Sequence, residues 1–338
     1  MEKRFEHVQS AHCENGVTTA LLRHRGVEFI TEPLAFGMGA GLFYIQIPFL
    51  TVNNGPAISF RTMPGAIFSR TCSALGVDVV RKKFVSEGSA GSYVDDLVSK
   101  GIPVGCQVGV FHLPYFPQEY RFHFNAHNLI VFGREEDRYL VSDPVMEVTT
   151  SLSPPELSKV RFAKGPLSPR GQAYYPIVSG EIDRATIQKA IAKGIKRNVR
   201  DMLHIPGGFA GVKGIRYTAN RVRKWREKLG VRKGGLFLGQ IVRMQEEIGT
   251  GGGGFRFLYA AFLQEAYDYI PDDTLLSISE DFTRAGDLWR SNAVKMAGIY
   301  KGRTTEQSDF DEVADRMMEI MEVEKKAFAR LSSVRLQK

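Results

Sequence analysis

Cysteine is scarce in this 338-residue chain. Cys13, Cys72 and Cys106 are too few for a disulfide framework and match no common zinc-ligand spacing, with or without His112 and His123. Long apolar runs are missing too. None approaches the roughly 20 residues that cross a bilayer. The longest, Gly39 to Leu50, is punctuated by glycine and Pro48 and reads as a buried strand. No apolar stretch follows Met1-Glu2-Lys3-Arg4, so no secretory signal is expected. No zinc finger, basic zipper or RNP-like strand is present. These absences predict a cytoplasmic protein with free thiols, no bound metal, and neither nucleic acid nor membrane as partner.

A hydrophobic content of 43% is ample for real cores, and a charged fraction of 24% is ordinary for a globular chain. The length suggests two domains, since domains run to roughly 100–200 residues. The net charge of +8 is unevenly placed. Basic residues dominate between Lys196 and Arg243, most densely from Arg221 to Lys228. Such a field attracts an acidic or phosphate-bearing partner, or else is the solvated face of an amphipathic helix.

The hydrophobic pattern predicts an α+β fold. A helix from Cys13 to His24 stops at Gly26, and Val27–Ile30 reads as extended. Strand patterns at Phe43–Phe49 and Ala57–Arg61 flank a turn at Asn53-Asn54-Gly55-Pro56. A helix at Gly65–Leu75, a strand at Val79–Val85, a helix at Ser89–Lys100 and a strand at Pro103–Val110 follow. A Pro- and aromatic-rich loop, His112–Phe124, leads into a hairpin carrying His127 and Asp143 around a five-residue loop, Gly133–Asp137. The expected division is a catalytic domain over 1–150, a connector over 151–180 that opens at Pro154-Pro155, and a helical domain over 181–338. Its helices are placed at 184–203, 217–229, 237–248, 255–269, 275–300 and 310–331. The run Gly249–Gly254 lacks the Gly-Lys-Ser/Thr ending of a phosphate loop and follows no strand, so it reads as a mobile or tightly packed helix connection.

Chemistry points to Cys13. A helix N-terminus carries roughly half a positive charge and unpaired N–H groups, which favour the nucleophilic thiolate. With a five-residue hairpin loop, His127 and Asp143 fall opposite or nearly opposite each other, their Cβ atoms about 4.5–5.5 Å apart. A one-residue slip would put them on opposite faces. Each has a bland reading alone: an inert buried thiol, a strand-end histidine, a turn starter before Pro144. Together they make a candidate Cys-His-Asp set. His12 is a rival base, expected instead to cap or line the site. Glu32 reads as a site carboxylate or as a strand-end charge before Pro33. Arg256 holds a phosphate or carboxylate, or pairs with Glu265 or another acid.

His12-Cys13-Glu14 and its helix, Glu32, Gly37-Met38-Gly39-Ala40-Gly41-Leu42, His127 and Ser142-Asp143-Pro144 together resemble the butirosin biosynthesis protein H family. The glycine-aromatic run Gly251–Leu263 is similar to that family's helical C-terminal domain. The resemblance covers essentially the whole chain. It implies a papain-like or C39-like cysteine-enzyme domain followed by a mainly α-helical one. It also implies an acyltransferase that moves an acyl or aminoacyl group from a carrier-protein phosphopantetheine thioester to an amine. Cys13 would be the nucleophile, His127 the general base and acid, and Asp143 its orienter. Papain-like sites place an oxyanion glutamine upstream of the cysteine, and Gln9 is the nearby candidate, with backbone N–H groups as the alternative. His12, Glu32 and Arg256 would contact substrate. The implied partners are an acyl carrier protein and a small-molecule amine acceptor, with homodimerisation left open and no resident cofactor. The same three residues also suit a hydrolase (peptidase or thioesterase) or a release cyclase.

Overall fold

The computed structural model describes residues 4–52 and 54–334. Met1–Lys3, and Asn53 of the expected turn, lie outside the described residues. In chain order the elements are α1 (Cys13–His24), α2 (Glu32–Met38), β1 (Leu42–Val52), β2 (Gly55–Arg61), α3 (Ala66–Ala74), β3 (Asp78–Lys82), α4 (Glu87–Ser99), β4 (Val104–Val108), β5 (His127–Glu135), β6 (Arg138–Ser142), β7 (Thr150–Leu152), α5 (Pro154–Arg161), β8 (Ala173–Ile177), α6 (Arg184–Val199), α7 (Gly211–Val222), α8 (Trp225–Val242), α9 (Arg256–Tyr267), α10 (Asp273–Tyr300) and α11 (Gln307–Ser333). The class is α+β with a helical C-terminal part. Among the described residues no helix is long and apolar enough to cross a membrane.

The chain forms two compact units: Met1–Ala35 with Ile67–Asp183, and Phe36–Ala66 with Arg184–Lys338. The division differs from the expected one in two places. Residues 36–66 group with the C-terminal helices, and residues 151–180 belong to the first unit, where they supply the end of β7, α5 and β8. Pro154 and Pro155, expected to open a loop-rich connector, open α5 inside a Ser153–Glu156 capping box. Proline is tolerated there because the first-turn N–H groups have no intrahelical partner anyway.

The first unit is built on a six-stranded antiparallel sheet in the order β3-β8-β4-β5-β6-β7. Side chains alternate across it, so Cys106 and Val108 of β4 share a face with Leu129 and Val131 of β5. That face packs on Val94 and Leu97 of α4 and on Leu157 and Val160 of α5, forming one core. Helix α1 packs against β5, β4 and β8, and every residue from Cys13 to Leu22 is buried. Val27–Ile30, expected to be extended, forms no strand, and Glu28 and Phe29 make a turn.

In the second unit β1 and β2 form an antiparallel hairpin. Tyr44 of β1 donates its hydroxyl to Thr218 Oγ1 at 2.8 Å, and Asn198 Nδ2 donates to the Leu42 carbonyl at 2.6 Å. Tyr44, Phe60 and Trp289 pack their rings together, with centroids 5.2–5.9 Å apart. Apart from the Tyr44–Phe60 pair within the hairpin, these contacts join residues more than 150 positions apart, which no local pattern reveals. The expected helix at 217–229 is divided: α7 ends at Val222, α8 starts at Trp225, and Gly230 interrupts it at φ 77°. The glycine run is a packed connection. Gly251 to Gly254 all take positive φ, a region that glycine enters without steric cost, and the Gly253 N–H donates to the Glu246 carboxylate at 3.1 Å.

Candidate active site

Cys13 is the first residue of α1, 7% exposed, and the arm before it is tied down by backbone groups. Ser10 N–H donates to the Pro144 carbonyl at 2.7 Å. Ala11 and His12 N–H donate to the two oxygens of Glu32, at 3.0 and 2.8 Å. His12 takes extended backbone angles and its carbonyl accepts the first intrahelical bond from Gly16, at 2.9 Å. Glu32 opens α2, so the expectation of a strand-end charge is corrected: its carboxylate clamps the two peptides preceding the cysteine. Burial raises the Glu32 pKa, and the N–H groups of Ala11 and His12 work against that rise. The next residue, Glu14, turns inward, accepting Ile67 N–H at 2.9 Å and Phe68 N–H at 3.3 Å at the start of α3.

His127 and Asp143 meet, although not by the expected register. The hairpin turn is only Glu136-Asp137, because β5 runs to Glu135 and pairs it with Arg138. Without correction this tighter turn would set Asp143 opposite Ile130, on the face away from His127. A β-bulge between Val131 and Gly133 shifts the pairing by one, to Ile130 opposite Ser142. Asp143 then continues opposite Leu129, diagonal to His127 and on the same face. His127 Nε2 lies 2.7 Å from Asp143 Oδ2, with the carboxylate fully buried.

The loop before β5 completes this end of the site. Tyr115 donates its hydroxyl to the same Asp143 Oδ2 at 2.8 Å, and Phe116 sets its ring edge-on to the imidazole at 5.4 Å. Arg121 fixes the loop by donating to the Phe116 carbonyl at 2.8 Å and the Pro114 carbonyl at 2.6 Å. Burial opposes an imidazolium at His127. The Asp143 carboxylate and the Cys13 sulfur, each by charge and by hydrogen bond, outweigh that and push its pKa up to about 10.

Asn128 is a further polar side chain at the thiol. Its Nδ2 donates to Ala126 O at 3.2 Å and lies 3.9 Å from Cys13 Sγ. Tyr174 of β8 donates its hydroxyl to Asn128 Oδ1 at 2.7 Å. The sequence pattern assigned no role to Asn128, Tyr174, Tyr115 or Glu14. Asn128 carried a weak signal, being an amide in an otherwise apolar strand, where asparagine is disfavoured.

The other expected site residues divide. His12 is buried beside Cys13 and lends its backbone to the Glu32 clamp. Gln9 is exposed and lines a shallow cleft with Thr19, Arg23 and Glu32 that does not include Cys13 or His127. Arg256 belongs to the second unit and has no exposed surface. It makes a two-pronged ion pair with Glu324 at 2.8 and 2.9 Å, donates to Gly254 O at 2.7 Å, and lies against Phe60 and Trp289. The expected substrate contact is thereby corrected to a packing role, and Glu324 takes the place of Glu265.

Two family comparisons match this chain. Residues 155–331, just over half of it, match a family described as "Domain of unknown function (DUF4872)". Residues 12–144 match "Butirosin biosynthesis protein H, N-terminal", a span that takes in Cys13, His127 and Asp143. No curated protein matches the chain.

Proposed function

We propose, on the premise that the chain belongs to the butirosin biosynthesis protein H-like family and carries its DUF4872 domain, that it is a cysteine-dependent acyltransferase of specialised metabolism. The donor is an acyl or aminoacyl thioester on the phosphopantetheine arm of a carrier protein, and the product is an amide on a small-molecule amine. In this reading the first unit is a papain-like or C39-like catalytic domain. One observation carries the proposal: His127 is bonded to the buried Asp143 carboxylate at 2.7 Å and, with the Cys13 sulfur also acting on it, holds its proton to about pH 10.

The steps follow from that placement. The Cys13 thiolate attacks the acyl carbon, and the carbonyl π pair moves onto oxygen. As the intermediate collapses, the donor C–S bond breaks and the departing thiolate takes the proton of His127. The amine then attacks the acyl-enzyme and gives a proton to the now neutral His127. The Cys13–acyl bond breaks, forming the amide and restoring thiolate and imidazolium. Asp143 keeps the imidazole in one tautomer and balances its charge, with Tyr115 holding the shared oxygen.

The basic stretch adds a use for an acidic donor. Arg223 pairs with Asp315 and Arg226 with Glu306, whereas Lys224, Lys228 and Arg232 are exposed. An electropositive face of this kind steers an acidic carrier protein whose arm bears a phosphate. Charge reversal at these three should raise KM for the carrier-bound donor and leave a small thioester surrogate unaffected. Equal effects on both donors would remove the docking role.

Intact-mass spectrometry after mixing the protein with acyl-carrier thioesters tests the covalent step. The expected result is one acyl adduct on the wild type and none on Cys13→Ala. Equal labelling of the two would overturn Cys13 as the nucleophile. Adding amine acceptors to the acylated protein should yield amide, and release of free acid alone would make the protein a hydrolase instead.

A further inference from the structure

Asn128 lies on the face of β5 opposite the core that contains Leu129 and Val131, since neighbouring strand residues alternate. Its amide is 4% exposed and its orientation is determined by its neighbours. The Ala126 carbonyl, 3.2 Å from Nδ2, can only accept, so the NH2 group must face it. The Tyr174 hydroxyl then donates to Oδ1 at 2.7 Å. Of the two Nδ2 protons, one serves Ala126 and the other points to Cys13 Sγ at 3.9 Å.

The tyrosine reaches Asn128 because Gly105 stands between the strands. Tyr174 pairs with Gly105 across β8 and β4, and a Cβ at Gly105 would lie 2.5 Å from the Tyr174 ring. Only glycine leaves that ring its place. Tyr174 is held on its outer side by Phe68, ring to ring at 4.7 Å, and by the Arg81 guanidinium at 5.6 Å. The result is a preorganised amide donor beside the sulfur, supported by a row of fixed groups.

We infer that Asn128 is the side-chain oxyanion donor of the acyl-transfer site, a catalytic residue, and that Tyr174 is its positioning residue. The inference rests on the reading of Cys13 as the acylated nucleophile. A contact of 3.9 Å is long even for sulfur, so this N–H is weakly used while the Cys13 sulfur is unreacted. When the thiolate adds to a thioester, the carbonyl π pair becomes an oxyanion on the carbon bonded to sulfur. That oxygen stands beyond the sulfur, where the unused N–H can approach hydrogen-bond distance. A donor better placed for the intermediate than for the resting thiol lowers the barrier instead of only tightening binding. Asn128 thus takes the role expected of Gln9.

The test compares two reactions at the same sulfur. Acylation by an N-acetylcysteamine thioester passes through an oxyanion, whereas alkylation by iodoacetamide displaces iodide and forms none. Both rates are followed by peptide-resolved mass spectrometry at Cys13 in the wild type, Asn128→Ala, the neutral and similarly sized Asn128→Leu, and Tyr174→Phe. The expected result is an acylation rate lower by about 10²-fold or more in both Asn128 variants. Tyr174→Phe should show a smaller loss, and alkylation should stay within about twofold throughout. An equal fall in both reactions would make Asn128 a thiolate or folding residue and overturn the inference. So would unchanged acylation in both Asn128 variants, with the covalent mechanism left standing. A wild type that alkylates at Cys13 but never acylates there would remove the acyl-enzyme reading itself, and the inference with it.

Discussion

Gly16 and Pro144 touch where the first turn of α1 meets the segment after Asp143: a Cβ on Gly16 would lie 2.3 Å from the Pro144 Cβ and 2.8 Å from the Ser10 Cβ. The missing side chain therefore sets how closely the Cys13 helix approaches the strand pair bearing His127 and Asp143. Neither obstacle is the far end of a flexible side chain. Gly16→Ala should lower stability by about 1–3 kcal/mol, the range for overpacking a filled site. It should also slow alkylation of Cys13. An unchanged melting temperature together with an unchanged alkylation rate would show that the helix is free to shift.

Tyr115 holds the oxygen of Asp143 that also meets His127. Tyr115→Phe removes a donor from a buried carboxylate, with an expected cost of about 1.5–3 kcal/mol in thermal or denaturant unfolding. The carboxylate then keeps more of its charge for His127, so the histidine titration should move to higher pH. A downward movement in an NMR titration would contradict this account.

The pH dependence follows from the direction of the His127 shift. Its folded pKa, about 10, lies above the ordinary 6.5, so the imidazolium stabilises the folded state. That contribution is full below pH 6.5 and is lost as the pH rises through about 10. The same proton serves the departing thiolate, so acylation by a thioester should fall on an alkaline limb near pH 10. His127→Gln should lose this limb, and its stability deficit against the wild type should shrink across the same window. A deficit independent of pH would show that His127 contributes only by packing.

In the second unit, breaking the enclosed Arg256–Glu324 pair should be expensive. Both side chains are fully buried, and Trp289 Nε1 donates to Glu324 Oε1 at 2.8 Å. Arg256→Met alone leaves an unpaired buried carboxylate and should cost about 3–5 kcal/mol. Arg256→Met combined with Glu324→Leu should cost less than the sum of the two single changes. A double-mutant cycle showing simple additivity would mean that the pair is not coupled. Arg256→Lys should restore little, because an ammonium cannot match the two-pronged geometry.

Composition and local pattern alone carried the α+β class, the helix that starts at Cys13 and most of the C-terminal helices, and named Cys13, His127 and Asp143 as candidates. Those features depend on short-range periodicity and on residue chemistry, both of which are written along the chain. Tertiary structure decided the rest. Whether Asp143 faced His127 depended on a two-residue turn and a compensating bulge, since one residue of register exchanges the faces of a strand. The roles of Glu14 and Glu32 as clamps, of Arg256 as half of a buried pair and of Asn128 as a neighbour of the thiol all required partners 20 to 115 positions away. The hairpin at 42–61 joined the C-terminal helices for the same reason: its Tyr44 and Phe60 rings pack on Trp289, more than 150 positions distant. A sequence states which side chains need partners, and only the folded chain shows which partners they have.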